Sequence, residues 1–172
     1  MKKSLAVILS VLVAAMPTNI FAAELSEEQI GMIRTNCASI KLQLKNVQKN
    51  DAKSRVHLGA QFETISSSLM MNLNLRLIKN NMPTSDISSQ QAEFSTERER
   101  FKSDYITYAK ELDNLISINC HEKPEEFYNR LSDVRTKRQI VADDVARLLE
   151  IAKKHRSSVL DLRKSLEKSE GK

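Results

Sequence analysis

Residues 127–166 read FYNRLSDVRTKRQIVADDVARLLEIAKKHRSSVLDLRKSL. Alternating steps of four and three link Phe127, Leu131, Val134, Val141, Val145, Leu148, Ala152, Val159, Leu162 and Leu166. Only Arg138 and His155 interrupt the series. Apolar side chains at this spacing form the seam of a coiled coil. No proline or glycine breaks the stretch, so one helix over about 124–169 is expected. A helix of that length cannot cover its own seam, and the remainder of the chain must supply the partners.

The residues on either side supply them. His121-Glu122-Lys123 makes a short connection, and Pro124 suits the first helical position, where its missing N–H costs nothing. Glu125 and Glu126 follow in the first turn, where the helix dipole favours acids. Before the connection, Phe94, Phe101, Tyr105, Tyr108, Leu112, Leu115 and Ile118 form a second stripe. Ser88-Ser89-Gln90-Gln91 reads as its capping box, which places helix two at about 88–120. Earlier still, Ser26-Glu27-Glu28-Gln29 is another capping box. It opens a stripe through Ile30, Ile33, Cys37, Ile40, Leu44, Val47, Asp51, Ser54 and Leu58. The next step, to Phe62, is four where three is due, a small phase shift before Ile65 and Leu69.

Leu73, Leu75 and Leu77 then alternate with polar residues, a period of two rather than 3.6. Asn80-Asn81-Met82-Pro83 is turn chemistry. Helix one therefore either frays near residue 71 or continues to about 80. The fold class expected is all-α: an elongated antiparallel helical bundle or coiled coil of three long helices, about 26–71, 88–120 and 124–169. With 172 residues, three glycines, three prolines and no tryptophan, one domain over 24–172 suits the composition. A mean hydropathy of −0.40 fits a rod with much surface for its core.

Residues 1–23 read as a secretory signal peptide. Lys2 and Lys3 precede an apolar run from Leu5 to Met16, and Ala22 or Ala23 offers the cleavage site. The run is too short for a membrane span, which needs about 20 residues. An exported chain, periplasmic or extracellular, with no transmembrane span after cleavage is the expectation. Without Lys2 and Lys3, 25 of the 27 basic residues remain against 22 acidic ones, a formal net charge of +3. That mild excess does not indicate nucleic acid, whose binders carry a basic patch or stripe.

Cys37 and Cys120 are the only cysteines, and in an oxidising compartment a pair reads as a disulfide. A bridge requires Cα atoms within about 7 Å. In a helical hairpin it places the chain reversal midway between the two, near residue 78. A helix one ending near 71 satisfies this better than one running to 81, which favours the shorter helix. A bridge between chains and two free thiols are the alternatives.

The chain offers little chemistry. His57, His121 and His155 are scattered, and neither cysteine has the local partner that structural zinc uses. There is no nucleophile motif or phosphate-binding glycine loop. No catalytic residue, cofactor or metal is expected, and a hydrolase is only a remote alternative.

Two groups of residues stand out instead. With Cys37, Cys120 and the start of helix three put at one level, counting up the helices places Arg138 level with Asp51 on helix one and between Tyr105 and Tyr108 on helix two. A buried polar layer of Asp51, Arg138 and a tyrosine hydroxyl is expected, against the alternative that both charges turn to water. The same count puts Ser88 opposite about residue 156. Residues 157–172 would then project beyond helix two, carrying Val159, Leu162 and Leu166 beside Arg163, Lys164 and Lys168. Such a seam needs a cover, either residues 72–87 folded back or a partner. Basic flanks suit an acidic partner: a protein, an anionic envelope component, or a second copy in a homo-oligomer.

The signal peptide, length, basic balance and long helices resemble exported holdase chaperones of the Skp type. That resemblance implies a chaperone role as the alternative function. The N-terminal strand of that family has no counterpart here, since Glu24 leads directly into a capping box. The function expected is an exported, non-enzymatic coiled-coil interaction or scaffold module.

Overall fold

The structure, a computed structural model, describes residues 25–170; the segment read as a signal peptide, 1–23, lies outside the described residues. The chain forms an all-α bundle with α1 (Glu27–Glu63), a π-helical segment (Thr64–Met71), α2 (Asn72–Lys79), α3 (Ser85–Ser117) and α4 (Pro124–Glu170). At about 1.5 Å per residue, the 47-residue α4 is a rod of about 70 Å.

Helix one does not end near residue 71. Backbone angles at Thr64 (φ −61°, ψ −44°) and Asn72 (φ −65°, ψ −38°) are helical, so α1, the π segment and α2 form one continuous rod. The apparent period of two in Leu73, Leu75 and Leu77 is two helical faces superposed. Met70 and Leu77 are buried and Leu73 is half-buried, while Met71, Leu75 and Ile78 face water. The π segment begins just after the phase shift at Phe62. There the hydroxyls of Thr64 and Ser67 donate to the carbonyls of Ala60 and Glu63 (3.0 and 2.6 Å), local bonds that compete with the regular ladder. The rod stops in a Schellman arrangement. Asn81 takes φ 52°, Asn81 N–H donates to Ile78 and Met82 N–H to Leu77.

The Ser26 capping box is present, with Gln29 N–H donating to Ser26 Oγ at 3.2 Å and Ser26 N–H to Gln29 Oε1 at 2.9 Å. The second expected box is not. α3 begins at Ser85, and its cap residue Thr84 makes no side-chain cap bond. The residues that suggested a box are used across helices instead. Ser88 Oγ donates to Asn74 Oδ1 (2.6 Å), and Gln90 Nε2 donates to Ser158 Oγ (2.9 Å).

α3 and α4 pair along their length, and the α1–α2 rod lies against both. The core falls into two clusters. One gathers Tyr108, Leu112, Leu115, Cys120, Phe127 and Val134, with Ile33, Ile40 and Leu44 of α1 packed on it. The other joins Phe62, Met70, Phe94, Phe101, Leu148 and Ile151. Phe62 is the anchor of the rod. Its ring meets Phe94 and Phe101 edge to face, with centroids 6.0 and 5.6 Å apart.

Cys37 and Cys120 are joined by a disulfide with Cα atoms 5.6 Å apart. The longer rod does not prevent this, for two reasons. A π segment fits more residues into each turn, so the rod advances less than its residue count suggests. α3 also ends at Ser117, and Ile118 is extended (φ −63°, ψ 135°). Extended chain advances about 3.3 Å per residue against 1.5 Å in a helix, which carries Cys120 further along the bundle.

Candidate functional site

Between the two core clusters, Asp51 faces Arg138 and Tyr108. Arg138 donates from Nε to Asp51 Oδ2 (2.7 Å) and from Nη2 to Oδ1 (2.9 Å), while Tyr108 Oη donates to Oδ2 (2.6 Å). The fork of the guanidinium matches the carboxylate, which makes the contact bidentate. Burial pushes the Asp51 carboxyl up, but the hydrogen bonds from Arg138 and Tyr108 and the Arg138 charge outweigh it and hold it below the usual range. Tyr108 moves the other way: burial, then the bond to Asp51, pushes its phenol up. Tyr105 takes no part in these bonds. Its ring lies edge to face with Tyr108 (6.1 Å), and the Arg55 guanidinium sits 5.6 Å from its centroid.

Beside this layer a groove of about 480 Å³ opens between α1 and α4, with α3 as its floor. Asp51, Arg55, Arg135 and Arg138 line one part of it, and Leu58, Val141, Ala142 and Val145 another.

A second polar layer joins α3 to α4. Asp144 is fully buried and Glu97 nearly so. Arg147 donates to Glu97 (2.6 Å) and also pairs with Asp144, and Arg100 reaches both carboxylates. Burial, then the charge of nearby Asp104, pushes the Asp144 carboxyl up against the pull of Arg147. The sequence analysis does not single these residues out. For Glu97 the signal is the unbroken rhythm Ile87, Gln90, Phe94, Glu97, Phe101, Asp104, Tyr108, which keeps steps of three and four straight through its polar members.

The end of α4 projects less than the level count implied. Ser158 bonds Gln90. Val159 is half-buried beside Leu69 and Leu73, and Leu162 is half-buried beside Ile87. The chain itself covers Val159 because helix one runs on to Lys79 instead of stopping near 71, and Leu162 because α3 begins at Ser85, a turn earlier than Ser88. Arg163 pairs with Glu167 (2.8 Å) and Lys164 with Asp161 (3.5 Å), both within α4. Leu166 and Lys168 are exposed. His155 also sits in this region, 7% exposed, and burial pushes its imidazole pKa down.

Among the described residues no cluster of His, Cys, Asp and Glu could hold a metal ion, and no helix is long and apolar enough to cross a membrane. The chain matches no protein-family model, no curated protein and no solved structure.

Proposed function

We propose that the chain is an exported, non-enzymatic helical module that holds a partner in the cell envelope through its turn end. One observation carries this. Met71, at the end of the π segment, and Leu75 and Ile78 of α2 recur at helical spacing on the outer face of the rod and are 42%, 58% and 55% exposed. Leu69 and Leu160 line the adjoining groove and are also exposed. Other exposed apolar residues, such as Met32, Leu42, Val56 and Ile140, stand singly along their helices and need no explanation. A contiguous apolar stripe does. Arg76 and Lys79 beside it suit an acidic protein or an anionic envelope component, and a second copy is the homo-oligomeric version. The disulfide supports an oxidising compartment and therefore export.

The test is capture from an envelope fraction with the wild type and with Leu75→Ser/Ile78→Ser. A partner retained by the wild type and lost by a variant of equal helicity and melting temperature supports the reading. Equal retention by both refutes it. The same stripe favours a second reading, a holdase chaperone. A holdase would suppress aggregation of several unrelated unfolded proteins, whereas a scaffold would retain one partner at fixed stoichiometry.

A further inference from the structure

The layer that joins α3 to α4 holds more carboxyls than its cations cover. Glu97 is met by both arginines, Oε1 by Arg147 Nε (2.6 Å) and Oε2 by Arg100 Nη1 (3.4 Å). Both arginines also turn to Asp144, and both meet the same oxygen, Oδ1. Asp144 Oδ2 is buried and accepts no hydrogen bond. A buried carboxylate oxygen without a donor is costly. Glu97, Arg100 and Asp104 follow one face of α3, so Asp104 stands one turn beyond the arginine that touches Asp144. Its carboxyl lies within hydrogen-bonding reach of Asp144 and has no cation partner among the described residues.

The neighbouring charges are engaged elsewhere. On α3, Arg98 pairs with Glu63 and Glu99, and Lys102 with Glu99. On α4, Asp143 accepts from Gln139, while Arg138 and the Tyr108 hydroxyl are held by Asp51. The rod brings Arg55, which lies over the Tyr105 ring, and His57, which is exposed. Three carboxyls, Glu97, Asp104 and Asp144, therefore meet two guanidinium groups, a net charge of −1 when all are ionised. One proton makes the set neutral. Placed between Asp104 and Asp144 Oδ2, it also supplies the missing hydrogen bond. We propose that Asp104 and Asp144 share a single proton that clasps α3 to α4. Bound, it leaves the layer neutral and fully bonded; released to water as pH rises, it leaves two carboxylates facing each other across the joint. Burial and the Asp104 charge hold this proton in the fold beyond the ordinary carboxylate range. The folded chain thus binds it more tightly than the unfolded one. The clasp is complete in acid and is lost as pH rises through the folded value, the reverse of Asp51 and His155.

Nuclear magnetic resonance of the full chain with carbon-13-labelled aspartate, titrated from pH 3 to 8, reads both carboxyls directly. Carboxyls that share a proton titrate as a pair, so the Asp104 and Asp144 signals should each move in two steps. In Asp104→Asn, Asp144 should titrate in one step and release its proton at lower pH than in the wild type. Asp161→Asn, at an exposed position paired only with Lys164, should leave the Asp144 titration unchanged. Asp144→Asn keeps one oxygen for the arginines and offers Asp104 an N–H in place of the proton. Its urea midpoint should exceed that of the wild type by a margin that widens as pH rises. Independent single-step titration of Asp104 and Asp144 in the wild type would overturn the proposal. So would an Asp144 titration unmoved by Asp104→Asn in a folded protein, or a margin that stays constant with pH.

Discussion

Replacing Asp51 with alanine removes the centre of the polar layer, and its cost can be worked from the three bonds it makes. Tyr108 is 2% exposed, so its hydroxyl loses a partner where water has little access. An unsatisfied buried hydroxyl costs about 1–3 kcal/mol. The Arg138 side chain is 56% exposed, and water replaces the carboxylate there. That pair therefore adds only about 0.2–1 kcal/mol. Asp51→Ala should thus destabilise by about 2 kcal/mol, a fall of about 4–8 °C in melting temperature for a chain of this size. Tyr108→Phe and Arg138→Ala should each cost about 1 kcal/mol, since each leaves Asp51 one remaining partner. Urea unfolding followed by far-ultraviolet circular dichroism measures all three at pH 7. Folding lowers the Asp51 pKa, so the unfolded chain holds that proton more tightly. The contribution of Asp51 is complete above its ordinary value near 3.8 and is lost as pH falls below it. The gap between wild type and Asp51→Ala should therefore hold steady from pH 8 to 5 and close in stronger acid. If Asp51→Ala costs no more than Asn50→Ala at the exposed neighbouring position, the layer does not join the helices.

Breaking the Cys37–Cys120 bridge, which spans a sequence separation of 83, should cost about 4 kcal/mol in the chain-entropy model, read as the drop in urea midpoint between oxidised protein and Cys37→Ser/Cys120→Ser. Leu148 is 0% exposed and Leu149 55%, so Leu148→Ala should cost about 2–5 kcal/mol and Leu149→Ala less than about 0.5 in the same assay. His155 titrates lower in the fold than its ordinary 6.5, so stability should be full above that value and decline as pH falls below it. His155→Leu should flatten the difference between urea midpoints at pH 7.5 and 5.5, and an unchanged difference would assign the pH response to other groups.

The architecture was legible wherever apolar residues kept a helical rhythm. Phe127 to Leu162 predicted α4, and Pro124 begins it as its missing N–H requires. The polar layer was legible too, because a rigid helix converts residue number into height, and Asp51 and Arg138 break seams at the same height. Helix one was misjudged past residue 71 because α2 is apolar on two faces. Leu73 and Leu77 turn inward and Leu75 outward, and a linear sequence does not separate two faces from an alternating strand. Ser88 and Gln91 looked like a cap because a capping box and a cross-helix polar contact use the same residue types. Glu97 was missed since a charge on a seam ordinarily turns to water, and Asp144 because it lies beside the apolar seam and not on it; here arginines from both helices cover them.

The central functional claim is that a partner sits on the outer face of the rod's end, from Met71 through α2. A photo-reactive amino acid placed singly at Met71, Leu75, Ile78, Val56, Ile106 and Ile140, all exposed, reads this directly in intact cells. The account predicts one common adduct from Met71, Leu75 and Ile78 and none from the other three. Adducts of equal yield at all six positions, or only at Val56, Ile106 or Ile140, would contradict it.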